Sequence, residues 1–465
     1  MKKILLCLIL LFQLIQTKAQ KFEVDTIYYS GRTENRINLV ILGDGYQQHE
    51  LAKFVVDARN FYNTFHLTNP FLQYHDFFNV FAVKVPSKES GASHPGTAMD
   101  ESTNDSQPVI SVDNYFGSTF DHNGLHRLIF PTKTTEIANV LAANTPYYDS
   151  VLLLVNSPYY AGSGWNDQFA AATLYDLTYN LAIHEIGHSF GNLADEYYAG
   201  DSYATETINM TQNNDPATIR WKNWYNTNDI GIYQHEVSGQ LKSWYKPHLN
   251  CKMSIIRQAF CSVCTEGIVE EIHNLVSPID AFTPSDTQNP GQTFPMKFQL
   301  ELIESQPSYL NIEWILNGKT LDQHEKVLEL NKSDLIPGEN ILRVQVYDDI
   351  FMVRVDNHEN IHMAMVQWTI NSSTLGIEDI AEQKLKIKLF PNPTEGLFKL
   401  NITAENVNTY SLKLYDVNGR VMLSKKNLRT AKEEALNLEK LTSGIYTLSV
   451  VLDNGVVFSK KIIKK

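Results

Sequence analysis

Residues 179–191 read Tyr-Asn-Leu-Ala-Ile-His-Glu-Ile-Gly-His-Ser-Phe-Gly, and this stretch organises the first half of the chain. On a helix, His184 and His188 lie one turn apart and face the same side. Zinc binds neutral imidazole nitrogens at about 2.0–2.1 Å, so the two rings can hold one ion. Glu185 lies beside them, where its carboxylate can act as general base and then as general acid. The stretch therefore predicts a buried helix that carries a metal-dependent hydrolytic site.

A catalytic zinc ion usually takes three protein ligands and one water molecule. Asp195 is the predicted third ligand, and Glu196 is the alternative, either as a ligand or as an acid that supports the ligands. A straight helix would carry residue 195 about 16 Å from residue 184 along its axis. The chain must therefore fold back, and Gly191 is predicted to end the helix in a turn, because glycine tolerates positive φ.

Residues 184–197 read His-Glu-Ile-Gly-His-Ser-Phe-Gly-Asn-Leu-Ala-Asp-Glu-Tyr and resemble the IgA-peptidase family of bacterial zinc metalloendopeptidases. Further matches are residues 39–46, 86–91, 124–128 and 154–157, and the resemblance covers about residues 35–275. The opening His-Glu-x-x-His-x-x-Gly is also similar to the metzincin signature. Metzincins usually have a third histidine where this chain has Ala194, followed by Asp195. The resemblance implies a metzincin-like fold, one catalytic zinc ion and a protein or peptide substrate.

The same resemblance implies that Met253 forms a methionine turn beneath the metal, although an ordinary core methionine is the other interpretation. Three cysteines lie close to it in the sequence: Cys251, Cys261 and Cys264. In an exported protein they predict a local disulfide with one thiol left over. A structural zinc site is the alternative, but such a site normally has four ligands, and no second cysteine pair is present.

The order of strands and helices predicts an α/β layer around one mixed sheet in the first domain. Apolar strands are expected at residues 37–42, 77–85 and 151–155, with a helix at residues 51–62 between the first two. The strand at residues 169–174 is expected to form the wall along which a substrate backbone binds. Calcium is considered near Asp100, Glu101 and Asp105, where a solvated loop is the other interpretation.

The sequence predicts five segments. They are a signal peptide at residues 1–20, a metallopeptidase catalytic domain at 21–276, an immunoglobulin-like β-sandwich at 277–373, a linker at 374–384 and a sorting module at 385–465. The basic start and the short apolar run are typical of a signal peptide rather than of a membrane span. Alternating strands and a hairpin turn at Asn317-Gly318 favour the sandwich.

The last segment resembles the C-terminal sorting domain of the type IX secretion pathway. The similarity lies in residues 390–393 (Phe-Pro-Asn-Pro), 415–420, 441–446 and the basic end at 460–465. It implies that the type IX machinery exports the chain across the outer membrane, which leaves it secreted or on the cell surface.

The net charge of −13 disfavours a nucleic-acid partner, because binding phosphates needs concentrated lysine and arginine. The sequence thus predicts a secreted zinc endopeptidase acting on extracellular proteins, host glycoproteins included. The alternatives are a surface adhesin or glycan-binding protein with a non-catalytic zinc site, and a zinc amidase or deacetylase with a non-peptide substrate.

Overall fold

A computed structural model of the chain describes residues 20–101, 106–165, 169–175, 179–200, 204–288, 290–291, 293–372, 386–403, 408–417, 420–453 and 457–465. The chain divides into two compact units, residues 1–374 and 375–465. The predicted signal peptide, apart from Gln20, the linker at residues 374–384 and Asp105 lie outside the described residues. No helix among the described residues is both long and apolar enough to cross a membrane.

The helices are α1 (Leu51–Phe65), α2 (Thr134–Asn144), α3 (Asn180–Ser189), α4 (Ser262–Leu275) and the single turn α5 (His358–Ile361). The strands of the first domain are β1 (Val24–Tyr28), β2 (Ile37–Asp44), β3 (Phe78–Val83), β4 (Ser118–Thr119), β5 (Phe130–Pro131), β6 (Ser150–Val155), β7 (Gly162–Trp165), β8 (Phe169–Thr173), β9 (Tyr233–Gln234) and β10 (Tyr245–Lys246).

Six of these strands form a mixed sheet in the order β1-β3-β2-β6-β8-β7. The four central strands β3, β2, β6 and β8 run parallel, and the outer strands β1 and β7 are antiparallel to their neighbours. The predicted strands at residues 37–42 and 151–155 are confirmed as β2 and β6, both buried along their whole length because helices cover both faces of the sheet.

Alternate residues of the sheet enter two separate cores. Leu39 and Ile41 face a core that includes residues of α1, α3 and α4, whereas Val40 and Leu42 face a smaller core that includes α2. The amphipathic α1 confirms the predicted helix, because its apolar residues Phe54, Ala58 and Phe61 are fully buried. The first domain therefore has three layers, with the candidate helix α3 on the larger-core side.

The expectation that residues 169–174 form the substrate wall is wrong in position. The corresponding strand β8 lies between β6 and β7, so both of its edges are already paired. An added strand needs a free edge. The outer strand at this end of the sheet is β7, and its edge is bridged to Leu128 at Gly162. The periodicity of residues 169–174 indicated a strand, but strand order is set by long-range pairing that local sequence does not specify.

The remaining strands of the first unit are β11 (Ile279–Thr283), β12 (Met296–Leu302), β13 (Leu310–Leu316), β14 (Lys319–Thr320), β15 (Val327–Leu330), β16 (Gly338–Asp348) and β17 (Ala364–Ser372). They form a sheet of order β11-β12-β15 and another of order β14-β13-β16-β17. Both sheets contribute to one core around Trp314 and Trp368. The predicted hairpin turn is confirmed, since Asn317 and Gly318 adopt φ of 51° and 78° between β13 and β14.

Buried polar contacts join this all-β module to the first domain. Arg36, at the start of β2, forms a two-pronged ion pair with Asp280 of β11, with both N–O distances 3.0 Å. A second contact between the two domains involves Glu270 of α4, which accepts a hydrogen bond from His362 at 3.0 Å and contacts His358 of α5. The two domains of the first unit are therefore held in one arrangement by charged groups as well as by packing.

The second unit consists of β18 (Lys386–Phe390), β19 (Leu397–Thr403), β20 (Thr409–Tyr415), β21 (Val421–Arg429), β22 (Glu434–Asn437), β23 (Gly444–Leu452) and β24 (Val457–Lys464). Its two sheets have the orders β18-β19-β22 and β21-β20-β23-β24 and share one apolar core. This is the small all-β module expected at the end of the chain. The predicted turns at residues 418–419 and 454–455 lie outside the described residues.

Candidate metal centre and active site

Helix α3 is buried over most of its length. Tyr179 precedes it with a φ of 56°, and residues 181–187 are all buried against β7, β8 and the larger core. The prediction that the two histidines lie on a buried helix is therefore confirmed. Burial removes water from the site and strengthens the electrostatic interactions within it.

The two imidazoles are oriented by backbone carbonyls. Nδ1 of His184 donates to the carbonyl of Lys252 at 3.0 Å, and Nδ1 of His188 donates to the carbonyl of Leu193 at 2.7 Å. Because a carbonyl can only accept, each Nδ1 carries the hydrogen, and each neutral ring presents the lone pair of Nε2. The two Nε2 atoms lie 3.3 Å apart.

Asp195 completes the group. Its Oδ1 lies 3.1 Å from Nε2 of His184 and 3.1 Å from Nε2 of His188. Bonds of 2.0–2.1 Å at a tetrahedral angle would separate two ligand atoms by about 3.3–3.4 Å. The three atoms therefore fit a zinc ion with one position left for water or substrate.

The chain reaches this arrangement by folding back at once after α3. Leu193 donates its backbone N–H to the carbonyl of Gly187 at 3.1 Å, which reverses the chain direction and brings Asp195 over the histidines. The positive φ predicted at Gly191 is wrong, because Asn192 takes the left-handed conformation with a φ of 49°. Glycine is needed at 191 for space, since a Cβ there would lie 2.9 Å from the carbonyl oxygen of Gly187.

The charges of the centre are strongly coupled. Burial opposes the charged imidazolium of His188, but the facing carboxylate of Asp195 outweighs burial and raises the pKa of His188 to about 9. Burial also opposes the charged form of Asp195, yet His188 and His184 hold the pKa of its carboxyl well below the usual range. Without a metal, the centre thus prefers to bind a proton, as a site built for a cation should.

Glu185 is buried beside the two histidines. Burial raises the pKa of its carboxyl, against the opposing effect of the two histidines. A Cβ atom at Gly162 of β7 would lie 2.2 Å from Oε1 of Glu185. A Cβ atom at Gly164 would lie 2.5 Å from Cβ of His188. The glycines of β7 therefore let this edge strand lie directly against the candidate catalytic residues.

Met253 lies beneath α3, next to Gly187. The side chain is fully buried, and a Cβ atom at Gly187 would come within 2.8 Å of its Sδ. The turn at residues 252–253 also orients α3 and the loop that follows it. The carbonyl of Lys252 accepts the hydrogen bond from His184, and the carbonyl of Met253 accepts one from the N–H of Glu196 at 2.8 Å.

Glu196 faces away from the two histidines. Its Oε1 accepts a hydrogen bond from Nδ2 of Asn209 at 3.0 Å and lies 3.3 Å from Sγ of Cys264. The geometry therefore places Asp195, rather than the alternative Glu196, beside the imidazoles.

The predicted local disulfide is not formed. Cys251, Cys261 and Cys264 are all free and buried. Sγ of Cys251 lies 3.5 Å from Sγ of Cys264, whereas a disulfide bond is about 2.05 Å long. The spacing of the cysteines correctly predicted that they lie close together. The sequence did not indicate that Glu196 lies beside them.

The residues considered for calcium do not form one group of ligands among the described residues. Glu101 lies in a group with His94, Asp121 and His126, and Asp100 accepts a hydrogen bond from the N–H of His126 at 2.7 Å. Calcium takes oxygen ligands, so a group with two imidazoles does not match its preference.

Arg127 and Tyr197 also lie near the centre, and no role was predicted for either residue. The guanidinium of Arg127 lies 5.1 Å from the ring centre of Tyr197, and the ring of Tyr197 lies 6.3 Å from that of His184. Both residues lie within stretches that resemble the IgA-peptidase family, and this resemblance is the only feature of the sequence that pointed to them. Burial and the carboxylates of Asp195 and Glu185 raise the pKa of Tyr197, so its hydroxyl keeps its proton.

Comparison with known families identifies both ends of the chain. Residues 26–233 match the model of the family described as IgA Peptidase M64, a range that contains α3 and Asp195. The first domain therefore carries the match to the M64 peptidase family. Residues 388–465 match the secretion system C-terminal sorting domain, which indicates secretion across the outer membrane to the cell surface or beyond. Both predicted resemblances are confirmed, and the M64 family is generally metal-dependent.

Solved structures share only limited similarity with the chain. A DUF3244-family protein with an immunoglobulin-like β-sandwich from Bacteroides vulgatus is 12% identical, with 18% of this chain and 96% of that chain covered and a TM-score of 0.15. Dimeric latent PorU from Porphyromonas gingivalis is 16% identical, with 40% of this chain and 20% of that chain covered and a TM-score of 0.17. SGBP-B of the Bacteroides ovatus mixed-linkage glucan utilization locus, in complex with a mixed-linkage heptasaccharide, is 11% identical, with 40% of this chain and 69% of that chain covered and a TM-score of 0.14. No curated protein matches the chain.

Proposed function

We propose that the M64 domain is a secreted zinc endopeptidase with a metzincin-like fold that hydrolyses extracellular proteins, host glycoproteins included. The observation that carries this proposal is the convergence of three ligand atoms, from His184, His188 and Asp195, within 3.3 Å of one another. Two imidazoles and one carboxylate that leave an open position are typical of catalytic rather than structural zinc sites.

His184, His188 and Asp195 would hold the zinc ion. Zinc bound there would polarise the peptide carbonyl and lower the pKa of a water molecule to about 7. Glu185, next to His184 on α3, then accepts the proton of the attacking water and passes it to the leaving amine. Its raised pKa suits this exchange, because a base that must also release a proton works best near the operating pH.

The remaining groups at the site would position the substrate. The outer strand β7 lies against Glu185 through Gly162, whose own backbone is bridged to Leu128. The part of the edge beyond this bridge, from Ser163 to Trp165, supports the proposal that an extended peptide binds there as an added strand. Arg127 and Tyr197, on the same side as His184, provide donors that could stabilise negative charge on the carbonyl oxygen.

The all-β parts of the chain would serve export and presentation. We assign residues 277–373 to an immunoglobulin-like sandwich, supported by its two sheets and shared tryptophan core. A signal peptide at residues 1–20 would direct the chain out of the cytoplasm, and the sorting domain then engages the type IX machinery.

The test is cleavage of a peptide library and of unfolded proteins by the purified chain, with zinc measured in parallel. Glu185→Gln is expected to lower turnover by about a hundredfold or more while the zinc content stays unchanged, because the amide cannot accept the proton. Glu206→Gln, an exposed glutamate on the following segment, is the control and should retain wild-type turnover. Undiminished cleavage by Glu185→Gln would overturn the mechanism. Stoichiometric zinc without turnover of the wild-type chain on any substrate would favour the adhesin alternative.

A further inference from the structure

A second group of candidate metal ligands lies next to the catalytic centre and is separate from it. This thiol cluster consists of Glu196, Cys251, Cys261 and Cys264. All four side chains are buried, and one ligand atom from each lies within 4.8 Å of every other. The three cysteines lie beyond the residues that match the M64 family model.

The distances in the thiol cluster suit a shared ion. Sγ of Cys251 lies 3.5 Å from Sγ of Cys264, which in turn lies 3.3 Å from Oε1 of Glu196. Zinc bonds of about 2.3 Å to sulfur and 2.0–2.2 Å to oxygen, at tetrahedral angles, separate such atoms by about 3.6–3.8 Å. Two bonded sulfurs would be much closer, at about 2.05 Å, so the thiols are grouped without being joined.

The environment of Glu196 also points to a cation. The residue is fully buried, and its Oε2 accepts no hydrogen bond from any described residue. A buried carboxylate that is half unsatisfied is costly unless it pairs with a cation or binds a metal. The ammonium of Lys246 donates to the backbone carbonyl of Glu196, so a positive charge is held next to the carboxyl and thiol groups of the cluster.

We propose that the thiol cluster is a second zinc site, with three thiolates and the Glu196 carboxylate as its four ligands. A closed set of four ligands is typical of a structural site, and thiolates select zinc among the common divalent ions. The ion joins three segments: the loop that carries Asp195, the turn around Met253 and the N-terminus of α4, where Cys261 precedes the first helical residue. The site stands independently of the proposed peptidase activity, because none of its ligands belongs to the catalytic set.

The first test uses the double variant His184→Ala/His188→Ala, which removes two of the three proposed ligands of the catalytic centre and leaves only Asp195. Zinc K-edge absorption on this full-length protein is expected to show sulfur neighbours at about 2.3 Å. Zinc surrounded only by nitrogen and oxygen would overturn the proposal. Loss of turnover in Glu185→Gln tests the peptidase proposal separately, so the failure of one does not imply the failure of the other.

The second test is done on the wild-type chain and does not depend on a variant folding. The protein is unfolded with denaturant and chelator, alkylated without any reductant, and mapped by mass spectrometry. A zinc site predicts that Cys251, Cys261 and Cys264 are all alkylated and that zinc is released on unfolding. A disulfide between any two of them would overturn the proposal.

A matched pair of variants tests the fourth ligand. Glu196→Gln keeps the shape of the side chain but removes its charge, and we expect zinc affinity at the thiol cluster to fall by about 10–100-fold, a range seen even for residues that only support zinc ligands. Glu206→Gln, ten residues later and exposed, should leave that affinity unchanged. Both are measured by chelator competition in the His184→Ala/His188→Ala background. Equal affinities in the two variants would remove Glu196 from the site.

Discussion

Gly162 lies directly against the carboxylate of Glu185, so that a Cβ atom at position 162 would come within 2.2 Å of Oε1. The contact joins the edge strand β7 to the helix that carries the proposed base and metal ligands. A side chain at this position would compete with the base for the same space.

Gly162→Ala is therefore expected to lower kcat by about tenfold to a hundredfold, since a displacement of about 1 Å in a catalytic group can cost a hundredfold. Stability should change less than kcat, because the nearest atom is at the far end of the Glu185 side chain rather than in the backbone. The measurements are kcat on a peptide substrate and the thermal midpoint.

Ser163→Ala is the matched control for that variant. Ser163 donates a buried hydrogen bond to the carbonyl of Ile129 and does not face Glu185. Its loss should cost about 1 kcal/mol of stability while kcat is retained. If Gly162→Ala kept full kcat, the close contact with Glu185 would have no catalytic consequence.

The metal-free centre is expected to make stability depend on pH. The pKa of His188 is raised to about 9 in the folded protein from about 6.5 when unfolded. Because the pKa is higher in the folded protein, the protonated His188 stabilises the fold through its attraction to Asp195. This stabilisation is fully present below about pH 6.5 and is lost as the pH rises through about 9. The thermal midpoint of chelator-treated protein should therefore fall across this window.

Asp195→Asn should flatten that dependence, because the carboxylate that raises the pKa of His188 is gone. Zinc-loaded protein should show a weaker slope as well, since a bound metal replaces the proton on Nε2. Parallel slopes for metal-free wild type and Asp195→Asn would contradict the assignment of the pH effect to this pair.

Met253 is expected to act through packing alone. Met253→Ala should destabilise the fold by about 2–5 kcal/mol, because a fully buried side chain is truncated beneath Gly187. Met253→Leu conserves volume and should cost less than about 1.5 kcal/mol. Chemical denaturation reports the cost, and zinc content and kcat of Met253→Leu should stay near wild type. Zinc loss in Met253→Leu would show that the sulfur has a further role.

The ion pair of Arg36 with Asp280 is expected to stabilise the contact between the first domain and the all-β module that follows it. Arg36→Met should lower the free energy of unfolding by about 1–3 kcal/mol, because it leaves a partly buried carboxylate without its partner. Arg32→Met removes only an exposed hydrogen bond to the carbonyl of Asp280 and should cost less than about 1 kcal/mol. Denaturant midpoints of the two variants give the comparison, and equal midpoints would mean that the buried pair contributes no more than the exposed contact.

Much of the first domain could be predicted because its signals are local. The apolar run of β2, the helical periodicity of α1 and the spacing of His184 and His188 each lie within a few residues. The position of β8 inside the sheet could not be predicted in this way. It depends on pairing with β6 and β7, and nothing in residues 169–174 distinguishes an inner strand from an outer one.

The sequence by itself determined the helix with its two imidazoles and base, the need for a reversal before Asp195, and the presence of a sorting module at the end of the chain. These follow from residue types at short, regular spacings, which local geometry converts directly into position. Only the tertiary structure decided that Asp195 faces the histidines while Glu196 turns to three cysteines, and that Asn192 rather than Gly191 takes the left-handed turn. Adjacent residues point in different directions once the backbone leaves the helix. Asp195 turns back to the histidines before it, whereas Glu196 meets Met253 and Cys264, which lie more than fifty residues further along the chain.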